Sequence, residues 1–174
     1  MTLWTLFFKN SNILSAHNEQ NKELLLIKDI TYKNQIVNIY LSTNKNINLN
    51  NLEQLCDSVG WLRRPIKKVK TAIKNSFLIV SLNKKVNGKT SLIGFARATS
   101  DCAFNATIWD VVIHPDFQGQ GLGKLLINEL VKELRSYEIN TITLFADPEV
   151  VLFYNNLGFI SDPNGIKGMF WYPK

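Results

Sequence analysis

The spacing of apolar positions changes several times along the chain. The apolar runs Leu24–Ile30 and Ile36–Leu41 predict strands, preceded by a polar loop over residues 9–22 that holds His17 and follows a short apolar N-terminal segment. Leu49, Leu52, Leu55, Cys56 and Val59 then recur at helical spacing, and Gly60 ends that helix. A second helix is predicted from Pro65 to about Asn75, with Ile66, Val69 and Ile73 on one face. Phe77–Leu82, Leu92–Ala98 and Thr107–Ile113 are rich in β-branched and aromatic residues and separated by turn signals at Asn87-Gly88 and Asp101–Asn105, so they predict three strands. Leu122, Leu125, Leu126, Leu130 and Leu134 mark an amphipathic helix of about four turns. Thr141–Phe145 predicts a strand, Pro148–Leu157 a short helix, and Phe159–Ile160 with Met169–Tyr172 two closing strands. Helices and strands alternate irregularly, which indicates an α+β or mixed α/β fold and not an all-parallel sheet. No internal repeat or long Pro/Gly/Ser linker divides the chain, so a single domain is expected.

Composition narrows the class. The 174 residues suffice for one core, with 45% apolar and 20% charged residues. No apolar run approaches the roughly 20 residues of a membrane-spanning helix, and Leu3–Phe8 is too short for a signal-peptide core. Cys56 and Cys102 are too few for a disulfide framework and suggest a reducing compartment. Asn (20), Ile (17) and Lys (16) are abundant, and Lys greatly exceeds Arg (4). All three types have AT-rich codons, so runs such as Asn44–Asn51 reflect the genome rather than a prion-like segment. The net charge of +6 divides into +8 over residues 1–87 and −2 over residues 88–174. The basic cluster Arg63, Arg64, Lys67, Lys68, Lys70 and Lys74 reads as the solvated face of an amphipathic helix or as a contact for an acidic or phosphate-bearing partner. Aromatic interleaving is nearly absent there and no nucleic-acid motif is readable, so neither nucleic acid nor membrane is an expected partner.

The richest chemistry lies in a strand, a short loop and a helix: Val111-Val112-Ile113-His114-Pro115-Asp116-Phe117-Gln118-Gly119-Gln120-Gly121-Leu122-Gly123-Lys124. Alternate glycines permit positive φ and close backbone approach. The helix start offers unpaired N–H groups at the positive end of its dipole, a cradle for phosphate. The spacing fits neither a Walker loop, which needs Gly where Gln118 stands and Ser/Thr where Leu125 stands, nor the dinucleotide pattern G-x-G-x-x-G. It reads Q-x-x-G-x-G at Gln118, Gly121 and Gly123.

That segment resembles the acetyl-CoA pyrophosphate loop of the GNAT N-acetyltransferase superfamily. Phe153-Tyr154-Asn155-Asn156-Leu157-Gly158-Phe159 is similar to the superfamily's F/L-Y-x-x-L-G-F segment. The strings LEQLCDSVGWLRRP, ARATSDCAFNATIWDV and GIKGMFWYP resemble the chloroplast and cyanobacterial branch, whose plant members are described as serotonin N-acetyltransferases and plastid protein acetyltransferases. The resemblance implies a GNAT core over residues 49–174, with an N-terminal extension and first strands over 1–48. It implies a mostly antiparallel mixed sheet in which two parallel strands splay around the cofactor. Backbone of Val111, Val112 and Ile113 would hold pantetheine, and backbone N–H groups of Gly119, Gln120, Gly121, Leu122, Gly123 and Lys124 the pyrophosphate, beside Gln118. Tyr154 would protonate the departing thiolate, with a merely packed tyrosine as the alternative. Asn155 or Asn156 would reach the cofactor.

The acceptor amine must lose a proton before attack. Asp110, at the end of the strand carrying Val111–Ile113, is the best-placed base, with a structural carboxylate as the alternative. His114 is expected to be a loop histidine, and Asp101, Asp147 and Glu149 to add a negative field for cationic amines. The chain departs from the family at Asp147, often Asn, and at Phe117, where plant relatives carry Tyr. Cys102 has no His neighbour in sequence and reads as a small loop or core residue rather than an acyl-accepting nucleophile. Trp61, Phe104 and Trp171 are expected to line an aromatic pocket or fill the core. The implied activity is metal-independent acetyl transfer to a small-molecule or protein amine, with homodimers frequent in the superfamily. A non-catalytic acyl-CoA-binding or partner-binding module is the rival. The codon bias beside a plastid-type resemblance suggests a plastid-encoded chain acting in the stroma, with a cyanobacterial cytoplasm as the alternative.

Overall fold

The computed structural model describes residues 23–32, 35–86 and 88–172; the apolar N-terminal segment and the 9–22 loop with His17 lie outside the described residues. Six strands, β1 (Glu23–Tyr32), β2 (Gln35–Ser42), β3 (Leu78–Val86), β4 (Lys89–Ser100), β5 (Asn105–Ile113) and β6 (Thr141–Leu144), form one sheet in chain order. Every neighbouring pair is antiparallel except β5 with β6, which is parallel. Helix α1 (Leu49–Ser58) and helix α2 (Ile66–Lys74) intervene before β3, α3 (Leu122–Ser136) makes the crossover from β5 to β6, and α4 (Val151–Asn155) follows β6.

The apolar periodicities sort onto the two faces of this sheet. Leu122, Leu126, Ile127, Leu130 and Leu134 of α3 pack with Val80, Leu82, Ala106, Ile108 and Ile113 in one core. Leu52 and Leu55 of α1 and Ile73 of α2 meet Ile79, Phe95 and Val112 on the opposite face. The lysines of α2 are exposed while Ile73 is buried, the arrangement of a solvated amphipathic helix. One member of the Asn-rich run is used structurally, since the Asn48 side chain caps α1 by accepting from the N–H groups of Asn50 and Asn51. Codon bias explains the abundance of asparagine but not its use here.

The two closing strands do not form. Phe159–Ile160 and Met169–Tyr172 lie outside any ladder, and Ile160, Met169 and Trp171 are exposed. Positive φ at Asp162, Asn164 and Gly165 turns the chain at the short 3-10 segment Pro163–Gly165, which interrupts an extended run. The helix expected over 148–157 is a 3-10 turn, Pro148–Val150, followed by α4, with Val150 at φ −110° and ψ 1° breaking the helical run between them.

Candidate functional site

The parallel pair parts company midway. Its register runs Asn105↔Thr141, Ala106↔Ile142, Thr107↔Thr143, Ile108↔Leu144 and then stops, while β5 continues to Ile113 against β4 alone. From Trp109 onward the β6-side edge of β5 therefore faces an opening instead of a partner strand. Both strands run in the same direction, so α3, reached through the 114–121 loop, and α4, reached from β6, start from the same carboxyl edge of the sheet. Ligands of α/β sheets bind at such edges.

The cradle is built as the glycine spacing requires. Gly121 caps α3 at φ 80°, a left-handed conformation open to glycine, and no side chain caps the helix. The Leu125 N–H is bonded to the Gly121 carbonyl, so the N–H groups of Leu122, Gly123 and Lys124 precede the helical ladder. No acidic residue lies in the first turn to neutralise the positive end of the dipole. Gly119 and Gln120 are exposed beside it. The Gln118 side chain turns inward and donates to the Ile113 carbonyl at 2.9 Å, which ties the loop to the end of β5. A Cβ on Gly123 would lie 3.5 Å from Phe153, so the start of α3 packs directly against α4.

Tyr154, next to Phe153, is buried in the α3-side core and stacks edge-on with Phe153 and Phe159. Burial pushes its phenol above the ordinary value of 10.0, and the Asp147 carboxylate acts in the same direction. The group is thus a neutral acid at physiological pH. Asn155 is exposed on the same short helix.

Asp110 sits at a bulge. The β4–β5 register shifts between Phe95 and Arg97, and Asp110 takes φ 53°. A regular strand would send neighbours to opposite faces, but here the Trp109 indole donates to Thr99 Oγ1 at 2.9 Å while Asp110 meets Arg97. Arg97 and Thr99 alternate onto the same side of β4, so the bulge presents Trp109 and Asp110 together on the face covered by α1 and α2. Each Asp110 oxygen is in an ion pair: Oδ2 with Arg97 Nε at 2.5 Å and Oδ1 with Arg64 Nη1 at 3.0 Å.

The remaining candidates scatter. His114 accepts from the Asp116 N–H and lies edge-on to Phe117, as a loop histidine does. Asp101 holds its own turn together: N–H donors from Asn105 and Ala103 keep its carboxyl well below the usual range, so it stays charged but structural. Cys102 is exposed in that turn, and burial pushes the Cys56 thiol up. Trp61, Phe104 and Trp171 are exposed rather than core. An aromatic row that the periodicity did not reveal lies instead at the mouth of the opening, where Phe145 touches Trp109 (centroids 5.7 Å) and Phe170 (5.0 Å). The available signals were a charge, Arg97, inside an apolar strand and two aromatics, Trp109 and Phe145, at matching ends of two strands. Among the described residues, no cluster of three or more His, Cys, Asp or Glu is placed to hold a metal ion, and no helix is long and apolar enough to cross a membrane.

Known proteins bear on this geometry. Residues 46–159 match the acetyltransferase (GNAT) family model. The chain is 60% identical, over the whole of both sequences, to a protein of the red alga Pyropia yezoensis named uncharacterized N-acetyltransferase ycf52. It is 42% identical to GCN5-related N-acetyltransferase 2, chloroplastic, of Arabidopsis thaliana, covering 97% of this chain and 77% of that one. It is 49% identical to histone acetyltransferase TAP1 of Glycine max, covering 88% of this chain and 69% of that one. Among solved structures, the GNAT-family acetyltransferase SP0256 of Streptococcus pneumoniae superposes with TM-score 0.66 at 22% identity, over 78% of this chain and 98% of that one. The match over residues 46–159 and the full-length identity to a named N-acetyltransferase show that the chain belongs to the GNAT family of N-acetyltransferases.

Proposed function

We infer that the chain transfers the acetyl group of acetyl-CoA to a primary amine, preferentially an arylalkylamine of the serotonin type, by direct attack in a ternary complex. The observation that carries this reading is the β5–β6 opening, flanked by the uncapped start of α3 and by α4, the helix that bears the buried, neutral Tyr154. The residues fit a CoA thioester: the β5 edge that runs on from Trp109 to Ile113 without β6 suits pantetheine, and N–H groups from Gly119 to Lys124 suit pyrophosphate. The thioester supplies an activated acetyl carbon. Backbone of Val111, Val112 and Ile113 would hold the pantetheine arm, and Asn155 would flank it. Asp110 takes the proton of the incoming ammonium, directly or through water. As the C–N bond forms and the C–S bond breaks, Tyr154 would give its proton to sulfur, and the second amine proton, lost as the amide forms, would restore the phenol through water. The row Trp109, Phe145 and Phe170, its rings inclined 39° and 63° to one another, offers an apolar wall for an aryl ring.

A protein amine is the second reading, favoured by the soybean relative named a histone acetyltransferase. The plastid stroma is the compartment we assign, in keeping with the Arabidopsis relative named chloroplastic. A CoA-release assay across indoleamines, peptide N-termini and lysyl peptides tests both readings. Indoleamines are expected to give the highest kcat/KM; a higher value for peptides transfers the assignment to protein acceptors, and no CoA release with any amine rejects acetyl transfer.

A further inference from the structure

The two guanidiniums on Asp110 differ in kind. Arg97 lies one strand away, its side chain only 12% exposed, and holds Oδ2 at 2.5 Å. Arg64 comes from the loop between α1 and α2, its side chain 44% exposed, and holds Oδ1 at 3.0 Å. The first is a fixed partner in a partly desolvated setting. The second is the more exposed of the two partners and the more readily exchanged. The adjacent Arg63 pairs with Asp57 of α1 through both Nε and Nη2, the shorter contact 2.7 Å, so the loop keeps a second tie to α1 when Arg64 leaves. Oδ1 is therefore the exchangeable side of the carboxylate, at the residue where β5 and β6 have just separated. A primary alkylammonium carries the same charge and the same N–H donors as the guanidinium it would meet there.

We propose that Arg64 stands in the acceptor's ammonium subsite and that a cationic amine binds by displacing it. This rests on the acetyl-transfer reading and on Asp110 as proton acceptor. The displacing amine then faces a carboxylate oriented from behind by Arg97. One proton passes from the ammonium to Asp110, leaving the neutral nitrogen that forms the C–N bond. Arg64 so sets acceptor affinity by competition and acts as a specificity-determining residue, touching neither the thioester nor Tyr154.

The test is steady-state kinetics of Arg64→Gln and Arg64→Lys at low salt, with two acceptors: an alkylammonium and a weakly basic aromatic amine that is neutral at the assay pH. In Arg64→Gln the KM for the alkylammonium is expected to fall about threefold, the size an exposed ion pair supports. Its kcat should change less than twofold, and KM for the neutral amine should not move. Arg64→Lys keeps the competing charge and should retain the wild-type KM, while thermal unfolding of both variants matches wild type. An alkylammonium KM that is unchanged or raised in Arg64→Gln overturns the proposal, as does an equal fall for both acceptors. If wild type turns over amines and the variants fail this pattern, only the displacement is wrong. If wild type acetylates no amine, both readings fall.

Discussion

Tyr154 is a core side chain for which we propose a catalytic role. Its ring packs in the α3-side core, and the preceding residue, Phe153, lies beside Gly123 at the start of α3. Burial and Asp147 favour the neutral phenol, so its folded-state pKa is raised. That sign has two consequences. The associated stability is present at neutral pH and is lost as pH climbs beyond the ordinary phenol range. The catalytic proton stays in place over the same interval, so the alkaline limb of kcat is expected above the ordinary value of 10.0. Tyr154→Phe should lower kcat by about 100-fold, abolish that limb and leave the KM for acetyl-CoA nearly unchanged. A kcat–pH profile of the two proteins checks all three outcomes; an alkaline limb preserved in the variant would remove Tyr154 from the chemistry.

At the scale of elements, the loop into α3 carries the cofactor assignment. Gly121 has open space where a Cβ would go, so any substitution there acts through its left-handed backbone and not through a clash. Gly121→Ala is expected to cost roughly 1–2 kcal/mol and to misalign the Leu122–Lys124 amides. The KM for acetyl-CoA should rise at least tenfold while that for the amine holds, as measured by varying each substrate in turn. This loop was readable from residues because its determinants are local: three glycines, a strand before and a leucine stripe after. The strands β1 to β6 and helices α1 to α3 were readable for the same reason, each carrying its own period. The Asp110 cluster was not, since its partners lie 46 and 13 residues away and a bulge, invisible in the pattern, turns the carboxylate to the face it occupies. The tail misled in the opposite sense. Met169–Tyr172 has strand-like composition, but a strand needs a partner edge, and Phe170 packs on Phe145 instead.

Across the whole molecule, the sheet separates two cores that ligand binding should affect unequally. The proposed acetyl-CoA contacts come from β5, α3 and α4, all built into the core that contains Leu122, Leu126 and Tyr154. The opposite core, around Leu52, Leu55 and Phe95, holds α1 and α2 and touches that site only through the far side of β5. Ligand present at about 100 times its Kd raises the unfolding free energy by roughly 2.7 kcal/mol. For a chain of this size each kcal/mol moves Tm by roughly 2–4 °C, so a rise of about 5–10 °C is expected in a thermal melt. Leu55→Ala removes a side chain only 1% exposed from the α1-side core and should cost roughly 2–5 kcal/mol. Because that cavity leaves β5, α3 and α4 intact, the variant should melt lower yet keep nearly the full acetyl-CoA increment. Gly121→Ala should do the reverse, melting closer to wild type but losing about half of the increment at a tenfold weaker Kd. Equal increments in the two variants would mean that the ligand is not held at the start of α3.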